Sequence, residues 1–516
     1  MKRILTIAIM LALVLGASAA WAAESILVYG TTDKATELDP ASAYDSHTWD
    51  LFQNGAAGLL AYVPGESTIV PALATGYTAN AKGDEFTFTL RKGLKFSNGN
   101  PLTAEAVKWS VDRVIKLNAD PAWLAADFVK SVEVVDGTTV KFILKQPVAF
   151  FPALVATPTY FPMDPSVFPV DKVVKDPAEL SGGVIPSLGP YTLTSYKRDE
   201  EAVFEANPGY FGKEPPIKKI IIRYFADATT MRLALEKGEI DLSYKSMNPS
   251  DINDLVKSTK LTSYKLPGPY IRYLCFETSE SVFKDKRLRQ AVGALINRPD
   301  INRKVFLGQN ADLYSMIPKG MVYHTEDFKT VWGDGNVAAA EKILKGMGYS
   351  AAKPFEFDLW YTPSHYGDTE VNMAEVMKAQ MEKTPLVKVT LKSAEWATYK
   401  QQWKNKQMPS FLLGWYPDYT DPDDYTAVFA GTTGSAGMGI NFSNKAWDDL
   451  FTQEQGTTKD ATRKALFEKI QKMWTDDVMT VPIFQGNLYI FAKKNVTGVK
   501  VGPTLIFNYD QLKFVK

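Results

Sequence analysis

The sequence predicts an α/β protein built of at least two lobes. Segments rich in β-forming residues alternate with segments of helical periodicity along the chain, a pattern typical of α/β lobes. The chain has 516 residues, of which 45% are hydrophobic, and this length exceeds what one hydrophobic core usually supports. Two proline-containing segments, at 267–269 and around Pro482, bracket a middle region and are consistent with two crossings between lobes. Two consecutive domains would give a similar pattern, so that alternative stays open at this point.

The first 22 residues have the features of a secretory signal peptide. A positively charged start precedes an apolar run at 4–15, and small residues follow in two A-x-A frames, at 17–19 and 20–22. The apolar run is shorter than the roughly 20 residues that a membrane-spanning helix needs. We expect cleavage after Ala22, and the absence of a cysteine near this site argues against a lipid anchor. The mature protein is therefore expected in a periplasm.

Composition argues against several classes of protein. The chain has 58 basic and 58 acidic residues, a balance that gives no strong attraction to nucleic acid or to an anionic membrane. Cys275 is the only cysteine, so stability must come from packing and not from an internal disulfide. After the signal, no segment of the sequence is long and apolar enough to cross a bilayer. We expect a soluble monomer.

The first part of the mature chain predicts strands, a helix and a hairpin. Thr103 is the predicted N-cap of a helix, because a turn at 95–99 precedes it and an apolar face follows it at helical spacing. Asp136-Gly137 is a strong hairpin signal between two β-rich segments. The predicted strands of this part lie at 25–32, 86–91, 129–135 and 140–144.

The rest of the chain continues the alternation of strands and helices. A proline-glycine-proline segment at 267–269 is expected to interrupt it, and a new mixed region is expected to begin with a strand at 271–277. A strand at 481–485 and a β-rich tail are expected to close the chain. The other predicted strands lie at 191–196, 219–225, 355–362, 387–392 and 411–416, and the predicted helices lie at 229–237, 369–383, 395–404 and about 459–474.

Ordered motifs along the chain indicate one protein family. The most specific block, FTFTLRKGLKFSNGNPLTAEAV at 86–107, is similar to the pattern F-T-L-R-x-G-V-K-F-x-D-G-x-P-x-T-A-x-D-V. The chain thereby resembles the family 5 extracellular solute-binding proteins, the dipeptide- and oligopeptide-binding group. Further matches occur in family order: LDP at 38–40, GLL at 58–60, PALA at 71–74, GPY at 189–191, NPxY at 207–210, ExGEID at 236–241, FKDKRLRQA at 283–291 and GWYPDYTDPD at 414–423.

This resemblance implies a bilobed periplasmic-binding-protein clamshell with an extra subdomain in the first lobe and two hinge strands. It also implies capture of a peptide-like solute between the lobes and its delivery to an ABC permease, without chemistry, cofactor or metal. The implied division of the chain is a signal peptide at 1–22, a first lobe at 23–60, 187–267 and 483–516, an extra subdomain at 61–186, and a second lobe at 268–482.

Asp418 is the first candidate for ligand contact. It follows the predicted strand at 411–416 and lies among aromatic residues. In peptide-binding members of the family, the acid at this motif position pairs with the α-amino group of the ligand, and the resemblance implies the same role for Asp418. An ammonium group removed from water needs a well-matched carboxylate. The alternative is an acid that only shapes the turn at the end of the strand.

Aromatic residues near this acid are candidate walls of the site. Aromatic residues make up 12% of the chain, so each one is more often part of a core than of a site. Trp49 and Phe52 are interpreted as core residues for this reason. The candidate ligand-binding aromatics are Trp415, Tyr416, Trp396, Tyr399 and Tyr425.

The acids that follow Asp418 are interpreted as loop-shaping or solvated residues. Asp421, Asp423 and Asp424 form a D-x-D-D run that lacks the glycine and the distal glutamate of a calcium loop. The sequence therefore predicts no metal here.

One departure from the family pattern concerns the carboxylate end of the ligand. In close dipeptide-binding relatives a basic residue precedes the M-A-E helix motif and meets that carboxylate. Here the motif at 373–375 follows Val371 and Asn372, and the segment at 363–366 also differs from the usual pattern. The departure weakens the case for a free dipeptide and favours a longer peptide, an amidated or sugar-like ligand, or an opine-type compound.

An exported hydrolase and an exported holdase chaperone are the alternatives. The three histidines, His47, His324 and His365, are widely separated, and the sequence has no H-E-x-x-H and no P-loop. The run around Ser435 lacks the leading glycine of a nucleophile elbow. A two-carboxylate glycosidase stays open because acids are plentiful, although nothing favours it. A holdase would expose a broad apolar surface instead of one enclosed cleft.

Overall fold

A computed structural model describes residues 25–245, 247–363, 365–367 and 369–515 of the chain. The expected signal peptide at 1–22 lies outside these residues. One mixed sheet runs through both lobes. In spatial order its strands are β15 (Val387–Ser393), β14 (Phe355–Tyr361), β16 (Ser410–Trp415), β12 (Leu261–Phe276), β17 (Thr480–Lys493), β11 (Leu242–Tyr244), β1 (Ile26–Thr31), β10 (Lys219–Tyr224), β9 (Glu201–Ala206) and β8 (Tyr191–Lys197), and β13 (Ala311–Asp312) pairs with β17.

The two longest strands, β12 and β17, connect the lobes. They pair antiparallel from Leu261 opposite Lys493 to Cys275 opposite Thr480. Strand β12 also pairs with β16 of the second lobe, whereas β17 also pairs with β11 of the first lobe. The bilobed α/β fold with two crossing strands is therefore confirmed. The boundaries of the lobes and of the subdomain, as drawn from the sequence, stay predictions.

The expectation that residues 267–269 interrupt the strand pattern is wrong. Strand β12 continues through them, and its register with β17 shifts between Pro267 and Ile271. A register shift leaves backbone positions outside the regular ladder, where the missing N–H of a proline costs no hydrogen bond.

Each lobe has its own core. The first core contains strands β1, β10 and β11 together with the extra subdomain. In the second lobe, alternate residues of β12 enter two cores on opposite faces of the sheet, because side chains alternate along a strand. Leu274 and Phe276 lie in one, and Ile271, Tyr273 and Cys275 lie in the other.

The extra subdomain is a four-stranded antiparallel sheet covered by a helix, α2 (Ala104–Leu117). Thr103 caps this helix as predicted, since its hydroxyl accepts the amide hydrogen of Ala106. The predicted hairpin is also confirmed, with Asp136 opposite Thr139 at its turn. The sheet contains β4 (Ala74–Ala79), β5 (Glu85–Leu90), β7 (Thr139–Leu144) and β6 (Val129–Asp136).

Where a helix was predicted in the second half, the observed helix matches it within a few residues. The predicted strands agree similarly, except that β12 already begins at Leu261 and β17 continues to Lys493. The predicted β-rich tail is confirmed only as far as Lys493, the end of β17; beyond it the described residues form only the two-residue strands β18 (Val496–Thr497) and β19 (Lys513–Phe514). Among the described residues, no helix has both the length and the apolar character needed to cross a membrane.

Of the helices in the following sentence, the sequence indicated α5, α11, α12 and α16 and did not indicate the others. The remaining elements are β2 (Leu60–Tyr62), β3 (Ile69–Pro71), α1 (Ser46–Gly55), α3 (Trp123–Ala126), α4 (Phe151–Val155), α5 (Ala228–Lys237), α6 (Pro249–Leu255), α7 (Lys286–Leu295), α8 (Arg298–Val305), α9 (Asp327–Trp332), α10 (Val337–Gly346), α11 (Thr369–Met381), α12 (Trp396–Lys404), α13 (Ala427–Ala430), α14 (Thr432–Gly437), α15 (Lys445–Gln455) and α16 (Asp460–Asp477).

Candidate ligand-binding site

Asp418 lies where the two lobes meet. It follows β16 in the second lobe, and its side chain is largely buried, with 7% of the residue exposed. The hydroxyl of Tyr44, which packs against the first core, donates a hydrogen bond to Asp418 Oδ2 at 2.7 Å. The indole N–H of Trp123 donates to that same hydroxyl at 3.2 Å. The acid is therefore held at the contact between lobes by a chain of two aromatic donors.

Among the described residues, no cation forms an ion pair with the carboxyl of Asp418. Burial raises its pKa to about 7, and the hydrogen bond from Tyr44 acts in the opposite direction. Behind it lies Asp424, whose Oδ2 accepts the amide hydrogen of Asp418 at 3.0 Å and the indole N–H of Trp415 at 3.2 Å. Asp424 Oδ1 is buried without a hydrogen-bond partner among the described residues. Burial, then the charge of Asp418, raises the pKa of Asp424 well above its usual value.

The acids that follow Asp418 in the sequence stabilise the loop. This agrees with one of their two interpretations from the sequence, as loop-shaping residues. Both oxygens of Asp421 accept from Arg463 at 2.8 Å, and Arg463 also binds Glu454 at 2.7 Å. Asp423 accepts from the hydroxyl of Tyr419 at 2.8 Å. All these acids are buried, so the interpretation as solvated residues is wrong. In the part of the chain that the structure describes, no group of histidines, cysteines and acids is arranged to hold a metal ion.

Two of the candidate aromatics lie directly beside Asp418. Trp415 is buried in a second-lobe core and packs edge-on against Phe429. The ring of Tyr416 stacks on Tyr270 of β12, with ring centres 5.2 Å apart. Through this stacking, Tyr416 connects the site to a crossing strand. Contact of either aromatic residue with a ligand stays a prediction.

Two other candidates are engaged by the protein itself. The buried hydroxyl of Tyr399 donates to the carbonyl of Leu412 at 2.9 Å, and that of Tyr425 donates to the carbonyl of Pro269 at 2.8 Å. Neither hydroxyl is available to a ligand in this conformation. Trp49 and Phe52 are buried in the first core, in agreement with their interpretation as core residues.

A group of residues that the sequence did not indicate adjoins Trp396. The imidazole of His365 stacks on the Trp396 ring, with centres 3.7 Å apart and planes 4° from parallel. The neighbouring Tyr366 ring lies 3.5 Å from the guanidinium carbon of Arg272. Arg272 is buried and forms an ion pair with Glu370 at the start of α11. The available signal was an arginine in the otherwise apolar strand segment YIRYLCF.

Gly414 makes this arrangement possible. A Cβ atom at this position would lie 2.6 Å from Nη1 of Arg272 and 3.0 Å from the ring of Tyr366. The amide of Gly414 donates to the hydroxyl of Tyr366 at 3.0 Å. The missing side chain of this glycine thus lets the guanidinium and the aromatic ring pack against β16.

On the first-lobe side, a second ion pair faces the same region. Lys245 Nζ lies 3.3 Å from Asp33 and donates to the hydroxyl of Ser46 at 2.9 Å. Burial, then the charge of Asp33, raises the pKa of Tyr416. The charge of Asp33 also acts on His365, whose pKa burial lowers to about 4. Asp33 is therefore close enough to Tyr416 and His365 of the second lobe for its charge to act on both.

A substitution at Gly486 in β17 tests whether the crossing strands support the site. A Cβ atom there would lie 1.7 Å from the ring of Tyr270, which stacks on Tyr416 beside Asp418. Gly486→Ala is expected to displace that ring, to cost about 1–3 kcal/mol of stability by overpacking, and to weaken ligand binding. Thermal unfolding and calorimetry check this, with Gly346→Ala as control because nothing lies within 4 Å of its Cβ position. Equal melting temperatures for the two variants would contradict it.

Comparison with known proteins identifies relatives in the family that the sequence motifs indicated. The family model described as bacterial extracellular solute-binding proteins, family 5 (middle), matches residues 68–437. The chain is 25% identical over 497 residues to the probable D,D-dipeptide-binding periplasmic protein DdpA of Escherichia coli K12, with 95% of this chain and 94% of the relative covered. It is 26% identical over 489 residues to the dipeptide-binding protein of the same organism, with coverage of 90% and 88%.

Solved structures agree in fold. The murein tripeptide binding protein MppA of Escherichia coli has a TM-score of 0.84 at 22% identity, covering 96% of this chain and 99% of the other. The dipeptide binding protein of Pseudoalteromonas sp. SM9913, in complex with Met-Leu, has a TM-score of 0.82 at 22% identity, covering 95% and 100%. The chain belongs to family 5 of the bacterial extracellular solute-binding proteins, whose members are binding proteins and not enzymes.

Proposed function

We propose that this protein is the periplasmic solute-capturing component of an ABC importer, which encloses a peptide or peptide-like solute between its lobes and delivers it to a membrane permease. The observation that carries the proposal is Asp418. It is a buried acid without a cationic partner among the residues that the structure describes, and it lies at the contact between lobes and at the motif position that binds the ligand's amine in the family. An ammonium group from the ligand would supply the missing positive charge.

Capture is coupled to closure through contacts between the lobes. The ring of Tyr419 stacks on Phe150 of the extra subdomain, with centres 5.1 Å apart. The amide of Thr420 donates to the hydroxyl of Tyr62 at 3.1 Å. These contacts and the bond between Tyr44 and Asp418 involve both lobes, so opening would break them. A ligand shifts the open–closed equilibrium only by binding the closed state more tightly, and bridging the lobes gives it that preference.

The hydrolase alternative finds no support in the site. Ser435 is fully buried, and its hydroxyl donates to the carbonyl of Phe442 at 2.6 Å. His47 is bound to Tyr224, and His324 to the carbonyl of Ile317. A nucleophile needs a base within hydrogen-bonding reach, and in the described part of the chain the hydroxyl of Ser435 has only backbone carbonyls as partners.

Native mass spectrometry of the protein purified from its own host tests the proposal. We expect one small amine-bearing solute bound at one molecule per chain, and its retention after the protein is incubated with peptide and oligosaccharide pools. Turnover of either pool would contradict a capture role. So would a protein that is purified without a bound solute and also binds no member of either pool.

The pH dependence of binding follows from the raised pKa of Asp418. An α-amino group stays protonated below its usual pKa of about 7.7–8.0, so a change in affinity between pH 5 and pH 7 reports on the protein. Because only the ionised carboxylate attracts the cation, affinity should rise by about tenfold per pH unit as pH approaches 7. His365 is already neutral in this range. Calorimetry should show this slope for the natural protein and a flat profile for Asp418→Asn; equal slopes would contradict the assignment.

A further inference from the structure

Arg272 has hydrogen-bonding capacity that the described residues do not use. Its side chain is buried, and Nη2 forms an ion pair with Glu370 at the start of α11. In the described part of the chain, none of its three guanidinium nitrogens makes a hydrogen bond of normal geometry, and Oε2 of Glu370 is also buried without a partner. Buried polar groups without partners are costly and rare in native proteins. The pair therefore leaves the guanidinium with donors for a second acceptor.

The surroundings of the guanidinium leave these donors at its edge. Its carbon lies 3.5 Å from the centre of the Tyr366 ring, which therefore covers one face of the group. The N–H donors lie in the plane of a guanidinium, so stacking on a ring leaves them free to bind a planar oxyanion edge-on. Burial raises the pKa of Glu370, and the charge of Arg272 acts in the opposite direction. Glu370 is thus a counter-charge whose ionised form burial disfavours.

Arg272 lies on the side of the second-lobe sheet that carries the candidate site. It is opposite Gly414 of β16, and side chains two residues apart on a strand share a face. Two residues before it on β12 is Tyr270, whose ring stacks on Tyr416. Burial and the charge of Asp33 in the first lobe raise the pKa of Tyr416, whereas the charge of Arg272 acts in the opposite direction. The guanidinium is therefore close to the contact between lobes.

The two ends of the candidate site differ in charge. At one end, the buried carboxyl of Asp418 has no ion pair among the described residues, and burial raises its pKa. At the other end, burial lowers the pKa of His365 to about 4, and the positive charges of Arg272 and Lys400 act in the same direction. Separated charges of opposite sign orient a ligand whose own charges are complementary.

We propose that Arg272 binds a carboxylate of the enclosed solute, in addition to the amine that the proposed function assigns to Asp418. This inference rests on the proposed function and adds a second binding residue and a ligand class, a zwitterionic solute. A guanidinium can donate to both oxygens of a carboxylate at once, which a lysine cannot do in a fixed geometry. The basic residue missing before the M-A-E motif is then replaced from a crossing strand, because Arg272 contacts the first turn of the helix that carries the motif.

Matched peptides test which charge the site requires. Mixed-sequence di-, tri- and tetrapeptides are prepared as free acids, as C-terminal amides and as N-acetylated free acids. Native mass spectrometry identifies the binders, and calorimetry compares their matched forms. We expect each free acid that binds to bind at least about tenfold more tightly than its amide, because a charge-assisted hydrogen bond is about twice as strong as a neutral one. An amide that binds as well as its free acid overturns the role of Arg272 and leaves the proposed function standing.

The N-acetylated acids separate this inference from the proposed function. If they bind as well as the free acids, the role of Asp418 fails, whereas weak binding of the amides would still support Arg272. If no peptide of the panel binds, both are overturned.

A double variant tests Arg272 itself. Arg272→Gln combined with Glu370→Gln removes the cation together with its counter-charge, so that no charge of the pair is left buried and unpaired. We expect the preference for the free acid over the amide to disappear. The matched control combines Lys108→Gln with Asp112→Asn, which removes an exposed ion pair and should leave the preference unchanged. A preference that persists in the folded double variant overturns the proposal.

Glu370→Gln alone keeps the proposal testable if the double variant does not fold. It keeps the size of the side chain but removes the acid that competes for Arg272 and repels a ligand carboxylate. The preference for the free acid should therefore rise by about threefold or more. A purely structural role of the pair would leave the preference unchanged, so an unchanged or smaller preference overturns the proposal.

Discussion

Asp418→Ala is expected to weaken binding of an amine-bearing solute by at least about 30-fold, which corresponds to about 2 kcal/mol. The reason is that the variant leaves the ligand's ammonium group enclosed without a counter-charge. The melting temperature of the free protein should change little or rise, because no described cation pairs with the buried carboxyl and its raised pKa shows that burial disfavours its charge. Calorimetry and thermal unfolding of the same preparation measure both quantities.

Tyr44→Phe is the matched control for this change. It removes the hydrogen bond of 2.7 Å to Asp418 but leaves the carboxylate in place, so the loss of affinity should be several-fold smaller. Unchanged affinity in Asp418→Ala would remove this acid from the site. A large loss of stability in that variant would instead assign it a structural role.

Asp39→Ala should have the largest effect on stability. Both residues of the ion pair with Arg113 are buried, and the two guanidinium nitrogens donate to Asp39 at 2.8 and 2.6 Å. The carboxylate also accepts amide hydrogens from Ala41 and Val174. Truncation leaves the guanidinium of Arg113 buried without its counter-charge, which typically costs about 3–5 kcal/mol. Urea unfolding should therefore show a lower midpoint.

An exposed acid provides the control for Asp39. Asp112 pairs with Lys108 one helical turn away, and both side chains are more than 40% exposed. Asp112→Ala should change stability by no more than about 1 kcal/mol, because surface ion pairs contribute little. Similar losses in both variants would contradict the structural role assigned to Asp39.

The sequence predicted elements well where side chains alternate between core and solvent. Helix α2 and the hairpin of the extra subdomain have this pattern, and Thr103 caps the helix as expected. Helix α1 was not predicted because it is buried on most sides: His47 to Phe52 are all buried, which removes the polar face that periodicity requires. Strand β12 was cut short in prediction because proline signals a break, and its register shift cannot be read from the residues.

From the sequence, residues of the site could be predicted only where they belong to one short segment of the chain. Asp418 was found through a local motif, but its partner Tyr44 is 374 residues away and belongs to the other lobe. The pairing of Arg272 with Glu370 likewise joins a strand and a distant helix, and neither residue has a local signal for it. Charge pairing therefore depends on tertiary packing, which local patterns in the sequence do not indicate.

A crystal structure of the protein with its co-purified solute tests the central claim most directly. We expect a positively charged nitrogen of the solute within about 3 Å of a carboxylate oxygen of Asp418, with both lobes in contact with the solute. A solute bound away from the contact between lobes, or a neutral or anionic group facing Asp418, would contradict the account.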